Sequence, residues 1–148
     1  MVRHLTPRQI TQRLDGLPRL QLASLPTPLD SLDRLSADLG GPAILVKRED
    51  LTGLALGGNK IREFEFSLAQ AVESGCDILV HGAAAQSNQS RVTAAAAARL
   101  GLDAVIIGRA DDHAQIQGNL LLTHMFGAEI ELYPASEQGD ALKSTLER

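Results

Sequence analysis

The sequence predicts an α/β fold: an open, twisted, mainly parallel sheet with helices on both faces. Apolar runs of four or five residues alternate with helical stretches, as expected for parallel strands buried on both faces and joined by right-handed crossovers. Aromatic residues make up only 3% of the chain, which favours this class over a β-sandwich. We expect one α/β domain over residues 1–148, because that length allows a single core and no internal boundary is visible.

The N-terminal part of the chain predicts short elements separated by proline and glycine. Thr6-Pro7 marks a helix start, since proline is favoured at the first helical position, and this helix should end near Gly16. Two prolines exclude regular helix from residues 25–28, which we expect to be extended. The elements predicted next are a helix over 29–39 ended by Gly40-Gly41-Pro42, an apolar strand over 43–47 and a loop over 48–58.

From residue 61 onward, helices and strands alternate regularly. The predicted helices are 61–73, 87–100, 115–126 and about 136 to the end; the predicted strands are 77–81, 103–107 and 129–132, and a polar loop covers 108–113. The small residues 93–98 should let their helix lie close to its neighbours. Ligands of open parallel sheets bind beyond the carboxyl ends of the strands, a location that residues 82–89 occupy here.

Composition excludes several classes of function. A net charge of −4 with no basic stripe argues against a nucleic-acid partner. No apolar run approaches the ~20 residues that cross a bilayer, and the N-terminus has no signal-peptide core, so we expect no membrane partner. The single cysteine, Cys76, fits a reducing compartment, and we expect a cytoplasmic protein. His4, His113 and His124 show no spacing that indicates a metal site.

Lys60 is the strongest candidate for chemistry. It closes the run Leu56-Gly57-Gly58-Asn59-Lys60, directly before helix 61–73. The two glycines let the backbone turn tightly and approach a ligand, although a simple turn with positive φ angles would use them equally well. The dipole at a helix start disfavours an ammonium, and a neutral amine attacks carbonyl groups. The pattern indicates Schiff-base chemistry, with a solvated surface lysine as the alternative.

A second polar cluster, Gln86-Ser87-Asn88-Gln89, lies at the start of helix 87–100. A single Ser or Asn is enough to cap a helix, a contribution of ~1 kcal/mol, and capping alone is the simpler interpretation. Four consecutive hydrogen-bonding side chains exceed this need, and together with the backbone N–H groups they can hold a carboxylate. Ser87 could also take part in proton transfer if Lys60 lies close.

Two further features have open interpretations. The charged segment Lys47-Arg48-Glu49-Asp50 is either a solvated turn or a structural support behind the lysine loop. His81, at a predicted strand end, is either functional or a half-buried polar residue. Neither a Walker A loop nor a Gly-x-Gly-x-x-Gly motif is present in the sequence, so nucleotide binding has little support.

These residues resemble the D-cysteine desulfhydrase / 1-aminocyclopropane-1-carboxylate (ACC) deaminase family. Its members are pyridoxal-phosphate (PLP) enzymes of the tryptophan-synthase β-subunit fold, fold type II. The two motifs that carry the resemblance are Lys47-Arg48-Glu49-Asp50-Leu51-Thr52-Gly53-Leu54-Ala55-Leu56-Gly57-Gly58-Asn59-Lys60 and Gln86-Ser87-Asn88-Gln89-Ser90-Arg91. The likeness extends over residues 25–133 and includes Gly118-Asn119-Leu120-Leu121-Leu122 and Phe126-Gly127-Ala128-Glu129.

The resemblance implies a role for each candidate residue. Lys60 would hold PLP covalently and move the substrate proton, and Asn59 and Asn88 would bind the cofactor, Asn88 at its phenolic oxygen. Ser87, Asn88 and Gln89 would bind the substrate, with Ser87 and Gln89 at its carboxylate and Ser87 also in proton transfer. The reaction would release ammonia from a small amino acid, by β-elimination from a cysteine-like substrate or by opening of a cyclopropane ring.

Three departures from the family pattern affect this interpretation. Gln89 is typical of the ACC deaminases, whereas residues 51–56 are closer to the desulfhydrases. Glu63-Phe64 replaces a usual basic-Leu pair, which we interpret as a packing variation. Family members are roughly twice as long, so the chain resembles their N-terminal half. We therefore expect a complementary C-terminal chain in a homo- or hetero-oligomer; the alternative is a truncated, non-catalytic remnant or binding module.

Overall fold

The computed structural model describes residues 4–110 and 116–147. Its helices are α1 (Pro7–Leu14), α2 (Asp33–Leu39), α3 (Lys60–Glu73), α4 (Asn88–Leu100), α5 (Gly118–Met125) and α6 (Gln138–Leu146). Its strands are β1 (Leu29–Ser31), β2 (Leu45–Lys47), β3 (Ile78–Ala84), β4 (Asp103–Arg109) and β5 (Glu129–Tyr133). His113 and the second half of the predicted loop 108–113 lie outside the described residues, as does the first residue of the predicted helix 115–126. The first two residues of that predicted loop belong to β4.

The predicted parallel sheet is confirmed. Strands β3, β4 and β5 are neighbours in that order, and both pairings are parallel. On one face, Leu79 and Ile106 pack against Ala94 of α4. On the other face α6 approaches so closely that a Cβ added at Gly82 would lie 2.8 Å from Leu142 Cδ2. Helices therefore cover both faces, as the sequence predicts.

Helix α4 lies between the sheet and α3, and its small residues make this possible. Ala94 and Ala97 belong to the cluster that packs on the sheet, whereas Val92 and Ala96 pack with residues of α3. Ala94 and Ala96 are both fully buried. Because side chains this short allow close helix contacts, the α4 backbone is held firmly against both layers, and its first turn is fixed relative to α3.

The predictions for residues 29–47 are partly wrong. The predicted helix 29–39 begins only at Asp33, because residues 29–31 form β1, which pairs antiparallel with β2. Both strands are three residues long and alternate exposed and half-buried positions, so β2 is not a doubly buried parallel strand. An ion pair between Arg48 and Asp30, at 2.8 Å, ties the end of β2 to β1.

Strand β3 is longer than predicted. It continues through residues 82–84, which the sequence analysis assigned to a loop, because β4 supplies a partner for every residue up to Ala84, opposite Arg109. The consequence is that the polar cluster begins immediately after a hydrogen-bonded strand end. Among the described residues, no helix is long and apolar enough to cross a membrane. The same residues contain no group of three or more His, Cys, Asp or Glu side chains suited to a metal ion.

A buried carboxylate joins the N-terminal segment to α3. Glu65 is 1% exposed and accepts hydrogen bonds from the Arg19 guanidinium at 2.6 and 2.9 Å. It also accepts from the backbone N–H groups of Leu22, at 3.0 Å, and Ala23, at 2.8 Å. The Arg19 guanidinium lies 5.2 Å from the centre of the Phe66 ring. These contacts satisfy the buried charge and hold an otherwise irregular segment against the helix.

We expect Glu65→Gln to lower the free energy of unfolding by about 2 kcal/mol at pH 7, because the amide loses the charge-assisted bonds. Burial acts to raise the pKa of Glu65, but hydrogen bonds from Ala23, Arg19 and Leu22 outweigh it, so the pKa is lowered. The stabilisation is therefore present above the unfolded pKa of about 4.3 and lost as the pH falls below it.

Urea unfolding between pH 3 and 7 should show a flatter pH dependence of the free energy of unfolding for Glu65→Gln than for the unmodified chain. Glu73→Gln, an exposed position on the same helix, is the control; equal pH dependence in all three proteins would contradict the assignment.

Candidate active site

A groove forms where the chain enters α3 and passes the first turn of α4. Its volume is about 280 Å³. The residues that line it are Asp50, Leu56, Gly57, Gly58, Asn59, Lys60, Asn88, Arg91 and Val92. Three sequence-predicted site residues, Lys60, Asn59 and Asn88, therefore share one groove. Ser87 and Gln89 are not among the lining residues and lie beside it, at the start of α4.

The segment before Lys60, residues 53–59, is here called the glycine loop. Four consecutive residues have positive φ: Ala55 (48°), Leu56 (68°), Gly57 (75°) and Gly58 (123°). The tight turn predicted at the two glycines is confirmed, but positive φ at Ala55 and Leu56 was not predicted. Left-handed conformations cost non-glycine residues on the order of 1 kcal/mol each, and such strain clusters at functional sites.

Hydrogen bonds of the Thr52 side chain stabilise the glycine loop. Its side chain is fully buried, and its hydroxyl oxygen accepts a hydrogen bond from the Gly58 N–H at 2.9 Å. The hydroxyl lies 2.9 Å from the Glu49 carbonyl oxygen and 3.0 Å from that of Gly58, either of which can accept its proton. The Gly58 N–H also donates to the Glu49 carbonyl at 2.8 Å. These bonds fix the loop just before Lys60.

The charged segment behind the loop is structural. The Glu49 carboxylate accepts hydrogen bonds from the Arg62 guanidinium and, at 2.8 Å, from the Thr27 hydroxyl. Hydrogen bonds from Arg62 and then Thr27 lower the pKa of Glu49 to about 2. Lys47 donates to the Thr27 carbonyl. Of the two interpretations open for residues 47–50, the structure supports the one with a role behind the lysine loop.

Lys60 is the first residue of α3, which begins one residue earlier than the predicted helix 61–73. Its side chain is 39% exposed, and its amine lies 3.4 Å from a carboxylate oxygen of Glu63. The interpretation of Glu63-Phe64 as packing holds only for Phe64, which is 6% exposed, because Glu63 points to solvent and pairs with Lys60. The lysine amine is therefore accessible from the groove and is held by one exposed carboxylate.

Three residues of the polar cluster, Gln86, Ser87 and Asn88, make different contacts. Ser87 caps α4, since its hydroxyl oxygen accepts from the N–H groups of Gln89 at 3.1 Å and Ser90 at 3.3 Å. Gln86 accepts from the Asn119 N–H at 3.0 Å and so holds the start of α5. Asn88 is exposed in the groove, and its Oδ1 accepts from Asn119 Nδ2 at 2.9 Å. The simple capping interpretation is thus correct for Ser87, but not for the whole cluster.

Arg91 and Asn119 are site residues that the sequence does not predict. Arg91 donates from Nη2 to the Gly57 carbonyl at 3.1 Å and from Nη1 to Asn119 Oδ1 at 3.0 Å. Both residues belong to segments that resemble the family, which was the available signal. Their spacing of 28 positions gives no indication that they meet, because the contact depends on how α5 packs against α4.

His81 is half-buried in β3, close to the site. Its Nε2 atom is buried and has no hydrogen-bond partner among the described residues. Burial, and then the positive charge of Lys60, lower the pKa of His81. The imidazole is therefore neutral at neutral pH.

The family model for pyridoxal-phosphate dependent enzymes matches residues 20–147. The chain belongs to this family. A D-cysteine desulfhydrase of Salmonella paratyphi B is 44% identical over 138 residues, which cover 90% of this chain and 42% of that protein. The D-cysteine desulfhydrase of Salmonella newport gives the same values.

A solved structure described as an ACC deaminase homologue superimposes on 97% of this chain, with a TM-score of 0.84 and 36% sequence identity. The match covers 43% of that homologue. The chain thus spans less than half the length of the PLP-dependent relatives that it matches. The resemblance to the D-cysteine desulfhydrase / ACC deaminase family and the fold class predicted from the sequence are both confirmed.

The residues of the groove fit one end of the PLP molecule. The cofactor's aldehyde requires a primary amine, and Lys60 provides one that is accessible from the groove. The Asn88 amide oxygen accepts a bond from Asn119, and the Asn88 amino group is a donor of the kind that an oxygen on the cofactor ring would accept from. Gly57 and Gly58 line the groove and have no side chains that would obstruct a flat ring.

Proposed function

We propose that this chain carries the lysine-bearing part of the active site of a PLP-dependent lyase or deaminase. Its substrate is a small amino acid from which ammonia is released, by β-elimination from D-cysteine or a similar compound or by opening of the ACC ring. The observation that carries the proposal is the placement of Lys60 and Asn88 in one groove, beside a strained glycine loop. The names of the relatives support the two candidate substrates.

PLP, when bound, stores the electrons that are released at the substrate's α-carbon. The Lys60 amine would hold the cofactor and, after the substrate's amine has displaced it, would accept the proton that leaves the substrate. The Asn88 amino group would donate to the cofactor's phenolic oxygen, with the amide orientation set by Asn119. Asn59, which lines the groove immediately before Lys60, would also bind the cofactor.

The substrate carboxylate binds at the start of α4. The Ser87 oxygen accepts two backbone N–H groups, so its hydroxyl proton is available to donate to a carboxylate or to move during the reaction. Gln89 lies on the first turn of the same helix, where the dipole favours an anion. We propose that Ser87 and Gln89 hold the carboxylate while Lys60 acts on the α-carbon.

We further propose that turnover needs the segments that the relatives have beyond the matched span, whether on the same polypeptide or on a complementary C-terminal chain in a homo- or hetero-oligomer. The share of the relatives that is matched, 42% and 43%, supports this. The exposed single cysteine, Cys76, fits a reducing compartment, and we propose a cytoplasmic location.

The deciding experiment measures the absorbance of the purified chain with added PLP, before and after borohydride, and maps the modified residue by mass spectrometry. We expect an absorbance band that borohydride abolishes, with Lys60 labelled much faster than Lys143, which is exposed on α6. If the label is spread over surface lysines, the test is repeated with a polypeptide that carries the missing segments of a relative. Scattered labelling there as well would contradict the proposal and favour a non-catalytic remnant.

We expect Ser87→Ala to spare covalent PLP attachment at Lys60 but to weaken the response to an amino acid substrate. Loss of the cap should also lower the free energy of unfolding by ~1 kcal/mol. The matched control is Thr6→Ala, which removes the side-chain cap of α1, outside the site. Titration with D-cysteine and with ACC, followed by absorbance, checks the expectation. An unchanged titration in Ser87→Ala would remove Ser87 from the substrate site.

A further inference from the structure

We propose that Arg91 is a positioning residue that, together with Asn119, sets the glycine loop relative to Asn88. The two side chains are called the Arg91–Asn119 clamp below. The inference rests on the proposed function for its consequence at Lys60, but the clamp itself is a property of the chain without cofactor. It joins the glycine loop, which lines one side of the groove, to the start of α4, which lines the other, and it is supported from α5 by Asn119.

The clamp is a continuous set of side-chain hydrogen bonds. At one end, Arg91 Nη2 donates to the Gly57 carbonyl at 3.1 Å. In the middle, Arg91 Nη1 donates to Asn119 Oδ1 at 3.0 Å. At the other end, Asn119 Nδ2 donates to Asn88 Oδ1 at 2.9 Å and to the Gln86 carbonyl at 2.8 Å. The position of Gly57 is thereby linked to the orientation of Asn88 through two side chains.

Packing alone does not explain an arginine at this position. Arg91 is half-buried, and its Nε is buried without a hydrogen-bond partner among the described residues. Both of its hydrogen-bond acceptors, Gly57 and Asn119, are neutral. Burying a guanidinium against neutral acceptors, with one donor unsatisfied, costs free energy that an apolar side chain next to Val92 would avoid. We therefore infer that Arg91 positions the glycine loop relative to α5 and does not primarily increase the free energy of unfolding.

The geometry also requires a side chain with two terminal donor nitrogens, as in a guanidinium group. The two acceptors lie on different elements, one in the glycine loop and one on α5, and Arg91 reaches each with a different terminal nitrogen. A lysine at position 91 would retain the charge but carries one ammonium at the end of a flexible chain, so it cannot hold both elements in the same way. This difference separates a positioning role from a purely electrostatic one.

The first test is hydrogen exchange, followed by mass spectrometry, on the chain without PLP. We expect amides of residues 57–60 to exchange about tenfold faster in both Arg91→Met and Arg91→Lys than in the unmodified chain. Asn119→Ala tests the other end of the clamp and should have the same effect on these amides. The matched control is Arg99→Met, an exposed arginine on the same helix. Unchanged exchange in Arg91→Met and Asn119→Ala would overturn the clamp.

The second test measures how fast PLP and borohydride label Lys60 relative to the exposed Lys143, well below the unfolding temperature of each variant. We expect the Lys60/Lys143 ratio to fall about tenfold in Arg91→Met and Arg91→Lys. A normal ratio in Arg91→Lys would show that the charge suffices and would overturn the positioning role. If the unmodified chain itself shows no preference for Lys60, with or without the missing segments, the proposed function fails, while hydrogen exchange still decides whether the clamp exists.

Discussion

Replacing Lys60 with alanine is expected to abolish the site-specific PLP absorbance band and to remove the borohydride-stable label from the peptide that contains residue 60. The variant lacks the only primary amine among the residues that line the described groove, and covalent attachment of an aldehyde requires an amine. We expect little effect on folding, since the Lys60 side chain is 39% exposed and its pairing with Glu63, at 3.4 Å, is also exposed. The measurement is absorbance with peptide mapping, alongside thermal unfolding.

Two controls separate the amine from the charge. Lys60→Arg retains a cation that can pair with Glu63 but cannot attach to the cofactor, so we expect the same loss as in Lys60→Ala. Lys143→Ala removes an exposed lysine on α6 and should leave the band and the label unchanged. Retention of the band and of substrate turnover in Lys60→Ala would refute the role proposed for this residue.

The parallel sheet could be predicted because its signals are local. Strands β3 to β5 are short segments between helices, and β3 and β4 each contain an apolar run. Each strand pairs with its nearest neighbour along the chain, β3 with β4 and β4 with β5. The pairing of β1 with β2 could not be predicted in this way. Both strands have only three residues, and a pattern of that length does not distinguish a strand from the first turn of a helix.

The residues of the candidate site likewise include some that a local sequence pattern predicts and others that depend on tertiary packing. Lys60 and the polar cluster were found because glycines and helix caps leave a signal within a few residues of each other. Thr52 could not be identified, because its role depends on where the chain returns at Gly58. Arg91 and Asn119 meet only after α4 and α5 have packed, so their contact is tertiary information. The contacts that join the two sides of the groove are formed by residues distant in sequence, so a local sequence pattern does not reveal them.

Gly57→Ala is expected to lower the free energy of unfolding by at least about 3 kcal/mol and to prevent specific labelling of Lys60. Gly57 has φ 75° and ψ −169°, a combination that is essentially restricted to glycine. A Cβ at this position would lie 2.0 Å from the Asp50 carbonyl oxygen and 2.7 Å from its carbon. Because these atoms belong to the backbone, a side-chain rotation cannot relieve the contact. Urea unfolding measures the loss of stability, and the Lys60/Lys143 labelling ratio measures the loss of geometry.

The matched control for this prediction is Gly75→Ala. Gly75 has nearly the same φ, 78°, but nothing lies within 4 Å of an added Cβ. We expect this variant to cost only ~1 kcal/mol, the strain of a left-handed alanine, and to label normally at Lys60. The difference between the two variants then measures the collision with Asp50 together with the extra strain of ψ −169° at Gly57, beyond the cost of a positive φ alone. Equal destabilisation would mean that the loop can move away from Asp50 freely. In that case the hydrogen bonds from Thr52 and Arg91 would not be what holds Gly57 and Gly58 in place.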